Sequence, residues 1–344
     1  DRISGNRGYN AVWLVNEGSD DNVVAGNLIG TDVTGTEALG NRGDGIDIKD
    51  DASGNLIGTN ADGISDGIER NVISANSSRG VWIWSQNRGG PRNNMVAGNF
   101  IGTDITGTKD LGNAGGGVLI SNGATENVIG TNGDGLGDVA ERNIVSGNDQ
   151  RGVEINNADN NVIAGNFVGL DFTGTVAIGN RRAGISIQNG SRHNVVGGTT
   201  EVARNVVSGN VQNGIQIRNS STSDNWILGN FVGTDFNGLD AVPNLQDGIA
   251  ILSGANNNII GTDGDGENDH LEGNLVSGNW NDGIAIDDAG GMSGLATADA
   301  LISGTQPSYA VSRKIDQSDL FDPETKPLGN FAFDHEVPGG GGYG

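Results

Sequence analysis

Three short acidic stretches share one arrangement of oxygen-bearing side chains. Asn60, Asp62, Asp66 and Glu69 stand at positions 1, 3, 7 and 10 of a loop with Gly63 at position 4. Asn132, Asp134, Asp138 and Glu141 repeat that spacing around Gly135, and Asp263, Asp265, Asp269 and Glu272 repeat it around Gly266. Hard oxygen donors on a short loop that bends at glycine are the ligands Ca2+ takes. The spacing follows the first half of an EF-hand loop, but the closing glutamate arrives two positions early. We therefore expect bound Ca2+ here, with hydrogen-bonded Asx turns as the alternative. A fourth equivalent stretch is replaced by Gly197-Gly-Thr-Thr-Glu201. Asp32, Asp104, Asp171 and Asp235 open a second kind of loop, mostly Thr-Asp-x-Thr-Gly-Thr, for which a plain hydrogen-bonded turn is the first expectation and a second cation site the other.

A different chemistry gathers elsewhere. Trp13, Asp47 and Trp82 occupy equivalent places in successive repeats, and so do Lys49 and Trp84. A longer insert, residues 85–93, adds Arg88 and Arg92. Aromatic rings beside carboxylates and basic groups can stack on and hold a sugar polymer; the same rings can also form a self-association patch. Asp44, Asp47, Asp50 and Asp51 crowd one repeat around Lys49. Proton abstraction next to a uronate carboxylate needs a base with a cation beside it, and glycoside hydrolysis needs two carboxylates at a set separation. Nothing in the spacing singles out one of these aspartates, so no catalytic residue is assigned. His193 and His270 lie in loops without sequence partners.

The elements that must position these residues are short and periodic. A small residue, an apolar residue, any residue and a second apolar residue recur nine times, with the apolar pairs Val12/Leu14, Ile46/Ile48, Val81/Ile83, Val118/Ile120, Val153/Ile155, Ile185/Ile187, Ile215/Ile217, Ile249/Ile251 and Ile284/Ile286. Successive pairs are 34, 35, 37, 35, 32, 30, 34 and 35 residues apart. Alternation of period two marks a strand with one buried face. Each interval holds two further strand candidates, such as 22–27 and 28–31, or 55–59 and 71–76. Three strands per winding, returning at a fixed period, predict a coil that stacks on itself. The fold class is all-β: a parallel β-helix of about nine rungs, roughly 43 Å long at about 4.8 Å per rung. Recurrent Asn at equivalent turns, for example Asn22, Asn55 and Asn94, predicts side-chain ladders.

Gly-Asn-Phe/Leu-Ile/Val-Gly-Thr-Asp-x-Thr-Gly-Thr, Gly-Asp-Gly-Ile-x-Ile and Arg-Asn-Val-Ile-Ser-Gly/Ala-Asn together resemble the right-handed parallel β-helix repeat proteins of large secreted or surface bacterial proteins. The resemblance covers residues 1 to about 287 and implies a fold shared by carbohydrate lyases, hydrolases, epimerases and non-catalytic stalks. The Gly-His-Gly motif of polygalacturonase-like enzymes is absent from the sequence, and Phe333-Asp334-His335-Glu336 only faintly echoes the Asp-Pro-His-Glu motif of mannuronan epimerases.

Composition sets outer bounds. The 344 residues include 61 Gly and no Cys, and 19 Lys+Arg against 43 Asp+Glu give a net charge of −24. Disulfides and thiolate metal sites are excluded. No basic stripe exists to neutralise phosphates, so nucleic acid is not an expected partner. No apolar run is long enough for a helical membrane span. The start at Asp1 and the acidity suggest a mature, secreted product or a fragment, located outside the cell or on its surface. Two regions are expected: the β-helix at 1–287, and a non-repeat tail at 288–344 that caps the coil or ties subunits together. Two functions remain: a calcium-stabilised structural or adhesive module that stacks end to end into filaments, and a lyase or hydrolase acting on an acidic polysaccharide.

Overall fold

In a computed structural model the chain winds as a right-handed parallel β-helix. The structure describes residues 1–86, 89–262 and 267–287, and the backbone of two short strands at 300–303 and 313–314. Each winding visits three sheets in turn. The first sheet runs from Arg2–Ile3 to Leu275–Val276 and the second from Val12–Val15 to Ile284–Asp287, with nine strands each. The third begins at Val23–Val24 and extends to Ala300–Ser303, which pairs in parallel with Asn258–Gly261; Arg313–Lys314 then adds an antiparallel strand. Nine strands per column make about eight full turns.

The register is the one the apolar pairs demand. Val12 pairs with Ile46, Ile46 with Val81, and Val81 with Val118, and the column continues unbroken to Ile284. A slip by one residue would turn every Ile outward, which is why burial of one face fixes pairing so firmly. The inward residues of all three sheets form one continuous core, with Ile46, Ile48, Ile83, Ile120 and Ile155 fully buried.

The turns are held by buried Asn ladders, and there are three. One runs through Asn22, Asn55, Asn94, Asn127, Asn161, Asn194, Asn225 and Asn258. Another runs from Asn27 through Asn71, Asn99 and Asn143 to Asn274, and the third from Asn6 through Asn41, Asn76 and Asn113 to Asn279. At each step the side-chain amide donates to the Oδ1 of the Asn on the next rung, and in most steps that Oδ1 also accepts the backbone N–H of the same donating Asn. Buried amides that would otherwise be orphaned are satisfied this way.

A second, smaller core was not evident from the sequence. Phe100, Phe167, Val72, Ile144 and Val206 point outward from the first sheet, yet all are buried with Leu170 and Val242. The Thr-Gly-Thr loops cover them. These loops stack on one another along the rod, Ile105 N–H donating to Gly35 O, Phe172 to Gly107 O and Phe236 to Gly174 O, each at 3.0 Å. Glycine is required at the crossing: Gly107 has φ +67°, and a Cβ there would sit 2.8 Å from Phe172 Cβ.

Candidate functional site

The second-sheet strand Arg79–Trp84 places Trp82 and Trp84 two residues apart, so both rings leave the same face. They lie nearly parallel, with centroids 4.2 Å apart and an interplanar angle of 8°. The Arg79 guanidinium lies 4.2 Å from the Trp82 centroid, and Lys49 Nζ lies 4.6 Å from the Trp84 centroid. Each indole therefore has the other indole on one face and a cation on the other. The result is a four-layer stack, Arg79–Trp82–Trp84–Lys49, held by cation–π attraction. A sugar can reach these faces only by displacing Arg79 or Lys49. Arg79 is a residue that the sequence pattern missed, because it lies an odd number of positions from Trp82 and only the length of its side chain brings it over the ring.

Register also places Asp47 opposite Trp82 and Lys49 opposite Trp84. Diagonal bonds lock the stack: Trp84 Nε1 donates to Asp47 Oδ1 at 2.8 Å, and Trp82 Nε1 to Ser121 Oγ at 3.0 Å. Asn10 Nδ2 donates to Asp47 Oδ2 at 2.6 Å. Asp47 is only 4% exposed. Burial pushes its carboxyl up to about 6; the Trp84 bond opposes this, the Asp44 charge adds to it, and Lys49 and Asn10 oppose it. Such a carboxyl can both take and release a proton near neutral pH.

The neighbouring aspartates are occupied. Asp44 Oδ1 accepts the Arg79 N–H at 2.8 Å and lies 3.7 Å from Arg79 Nη1. Asp50 Oδ1 accepts the Gln86 N–H at 2.9 Å, while Lys49 donates to Gln86 Oε1 at 2.8 Å. Trp13, opposite Asp47, is 59% exposed and carries the open indole of this patch. Farther along the face, Glu154 is held by Arg151 at 3.2 Å and by Gln188 Nε2 at 2.5 Å. Glu154 lies three strands from Asp47, about 14 Å at about 4.8 Å per strand. That exceeds the carboxylate separations used in glycoside hydrolysis, so these two do not form such a pair.

Arg92 is not part of the patch: it lies exposed in the turn that leads to the third sheet, where Gly54 N–H donates to its carbonyl. Arg88, Asp263, Asp265 and the stretch Phe333–Glu336 lie outside the described residues. His193 occupies a left-handed turn position with φ 55°, the place held by Asp21, Asn93, Glu126 and Asn160 on other rungs.

In the acidic loops the carboxylates act as hydrogen-bond acceptors. Asn60 N–H donates to Glu69 Oε2 at 3.1 Å, and Ile64 N–H to Asp62 Oδ1 at 2.7 Å. Asn132 N–H and Leu136 N–H repeat these bonds to Glu141 and Asp134, at 3.1 and 2.8 Å. Thr59 Oγ1 lies 3.3 Å from Asp66 Oδ1 and 2.9 Å from Glu69 Oε2, and Thr131 and Thr262 lie 3.1 and 3.0 Å from Asp138 and Asp269. This threonine is a constant element that the sequence pattern missed. Burial raises the Glu141 carboxyl above its ordinary range, against the bonds from Thr131 and Asn132 and with the charges of Asp138 and Asp134. Asp66–Glu69 and Asp269–Glu272 each form a single helical turn. Among the described residues, no three His, Asp or Glu side chains converge as a metal-holding group.

The Thr-Gly-Thr loops are hydrogen-bonded turns, as expected. Asp32 Oδ1 accepts from Thr34 Oγ1 at 2.8 Å, Thr36 N at 3.1 Å and Glu37 N at 3.2 Å. Burial works against its ionisation, but these bonds outweigh it and hold the carboxyl below its usual range.

No protein-family model matches the chain, and no curated protein sequence does. Solved structures resemble it in shape. A crystal structure of a substitution variant of the periplasmic alginate epimerase AlgG aligns with 85% of this chain and 63% of its own, at 16% identity and a TM-score of 0.48. A second variant of the same protein aligns over 80% and 67%, at 16% identity and a TM-score of 0.45. The likeness is one of fold. The chain spans less than two thirds of the length of the first of these proteins. Among the described residues, no helix is long and apolar enough to cross a membrane.

Proposed function

We propose that the outward face of the second sheet, on its first three rungs, holds an acidic polysaccharide, and that Asp47 is the group that moves a proton there. The observation that carries this reading is the Arg79–Trp82–Trp84–Lys49 stack with Asp47 bonded at its base. In a chain of net charge −24, basic groups are scarce, and here two meet two indoles and a buried carboxyl on one patch. Lys49 and Arg79 would neutralise the polymer's carboxylates, Trp13 offers an open ring, and Asp47 sits at a pKa suited to proton transfer near neutrality. Such a protein would work where acidic polysaccharide is found, outside the cytoplasm. The test is a panel of acidic and neutral polysaccharides, measured for binding by affinity electrophoresis and for unsaturated or reducing-end products. Retardation by acidic polymers alone, lost in Lys49→Gln/Arg79→Gln, supports the reading. Equal or absent retardation by every polymer removes it.

The competing reading is a calcium-stabilised structural or adhesive module that stacks end to end. One observation favours it: every Asn ladder donates in the same direction, so at the first rung the Oδ1 atoms of Asn6, Asn22 and Asn27 are left without a ladder donor. Sedimentation with and without calcium discriminates, since a monomer at all concentrations in both conditions leaves no place for filaments.

A further inference from the structure

Next to the Trp82–Trp84 patch, the turns that lead into the second sheet on the first two rungs flank an open notch of about 250 Å3, lined by Arg7, Gly8, Tyr9, Arg42 and Gly43. Arg7 and Arg42 each follow directly on a residue of the same Asn ladder, Asn6 and Asn41. Their backbones are thus about one strand spacing, ~4.8 Å, apart. Two guanidiniums carried on adjacent rungs are like charges that repel when they approach. Farther along the same column the conflict does not arise, because Arg181, which follows Asn180, pairs with Asp149, which follows Asn148, at 2.9 Å. Among the described residues neither Arg7 nor Arg42 has a carboxylate partner. In a chain with 43 acidic side chains, two adjacent arginines left unpaired are conspicuous.

The notch is shaped by local sequence. From Asn6 to Val12 the first rung has one residue more than the second has from Asn41 to Ile46, and the extra length sets Tyr9, 88% exposed, at the edge of the notch. Gly43 takes the place that Ser78 holds on the next rung. A Cβ at Gly43 would run into the Tyr9 carbonyl, so glycine is what permits the two turns to pack this closely.

We propose that Arg7 and Arg42 form a subsite for an oxyanion carried by the glycan, a uronate carboxylate or a sulfate ester. The proposal rests on the acidic-polysaccharide reading above and says where the polymer's charge is held. Paired guanidinium forks match the planar carboxylate and the sulfate oxygens, and an anion between them relieves their repulsion. Asn10 ties the subsite to the patch: it follows Tyr9, accepts the Asp44 N–H at 2.9 Å and donates to Asp47. A sugar held by its charge at Arg7 and Arg42 would therefore lie beside Asn10, whose side chain contacts the Asp47 carboxyl.

Both arginines are exposed, so Arg7→Gln/Arg42→Gln should fold normally, which an unchanged thermal midpoint would verify. The test is calorimetric titration at low salt with three oligosaccharides: an oligogalacturonate, its carboxyl-reduced neutral counterpart, and a sulfated oligosaccharide without carboxylates. The double variant should bind the charged ligand at least tenfold more weakly than wild type, with the neutral ligand unchanged. Arg192→Gln, an exposed arginine in the turn to the third sheet, serves as control and should lose little. Which charged oligosaccharide is affected identifies carboxylate or sulfate as the anion. If wild type binds a charged ligand and the double variant binds it equally well, or if the control loses as much, the subsite is wrong while the polysaccharide reading stands. If wild type binds neither charged ligand, both fall.

Discussion

Replacing Asp47 by Asn should change the stability of the protein with opposite signs in acid and in alkali. A carboxyl held at about 6 instead of its ordinary 3.8 costs the folded, ionised protein about 3 kcal/mol, at about 1.4 kcal/mol per pH unit of displacement. Because the folded pKa is the higher one, this stability is fully present below about pH 4 and is lost as pH rises through about 6. Asn has the same shape and no charge, so it escapes the loss. It also forfeits one acceptor: its carbonyl can still take the Trp84 N–H, but its amide then faces the Asn10 amide, which cannot simply turn over because its own oxygen accepts the Asp44 N–H. An unmatched buried polar contact costs about 1–2 kcal/mol. Asp47→Asn should thus be about 1 kcal/mol less stable than wild type at pH 4 and about 1–2 kcal/mol more stable at pH 8, crossing over between about pH 4.5 and 5.5. Urea unfolding of both proteins at pH 4, 6 and 8, followed by indole fluorescence, measures this directly. A difference that does not vary with pH would show that Asp47 does not titrate in this range, and the proton-transfer role proposed for it would go with it. In a polysaccharide assay the same substitution should abolish turnover and leave binding in place.

Other parts of the fold give independent outcomes. Asn99→Ala removes an amide that bonds Ile57 O, Ala97 O and Asn143 Oδ1, and an acceptor used by Asn71 Nδ2, all buried; it should cost at least about 3 kcal/mol in chemical denaturation, as much as truncating a core isoleucine such as Ile101→Ala. Asp171→Ala strips the acceptor from the Thr175 and Val176 amides and the Thr173 hydroxyl, and should cost about 2 kcal/mol and make the 171–176 loop the first site of proteolysis. Saturating calcium should raise the thermal midpoint if the acidic loops bind it, by about 2.7 kcal/mol of stability at a hundredfold excess over the dissociation constant; an unchanged midpoint in calcium and in chelator removes the ion from these loops.

The second sheet was legible because its strands are four to six residues long and carry two inward apolar residues each, enough for period two to show and for spacing to set the register. The outward neighbours followed from parity alone, which is how Trp13, Asp47 and Trp82 fall into one column. The first sheet was not legible in the same way. Its strands are two residues long, and Phe100-Ile101 or Phe167-Val168 read as apolar on both faces with no period to say which is inside. Both faces are in fact inside, one in the main core and one beneath the stacked loops. Long side chains defeat parity altogether: Arg79 reaches Trp82, and Arg70, Arg142 and Arg204 lay their guanidiniums 4.1–4.2 Å from the rings of Phe100, Phe167 and Phe231. What the Trp82 and Trp84 faces touch is thus a property of the packed rungs, absent from any one repeat.

The proposed placement of the ligand on the second sheet also draws on a comparison of the three outward faces. The first is largely covered by the chain's own loops, which bury Phe100 and Phe167; what stays open there is a cleft lined by Arg142, Glu201, Arg204 and the partly exposed Phe236, with both guanidiniums already laid on Phe167 and Phe231. The third presents a row one residue wide, Val23, Leu56, Met95, Val128, Val162, Val195, Trp226 and Ile259, with one exposed ring at Trp226 and neither charge nor carboxamide in the row. Among the described residues, only the second face combines cations, carboxylates and carboxamides: Lys49 and Arg79, then Glu154, Asn156, Gln188, Gln216 and Arg218 on later rungs. A parallel β-helix repeats every ~4.8 Å along its axis, close to half the length of a sugar pair, so a linear polysaccharide lying along that face would meet a new row of side chains at regular intervals. The N-terminal third of the face differs from the remainder in having Trp13, the Trp82–Trp84 pair and a buried carboxyl able to exchange a proton. Polar rows without aromatic rings or a perturbed carboxyl can hold a chain but have no group poised to transform it, so under the function proposed above any chemistry is expected at the Asp47 end, and the remainder of the face would align the polymer.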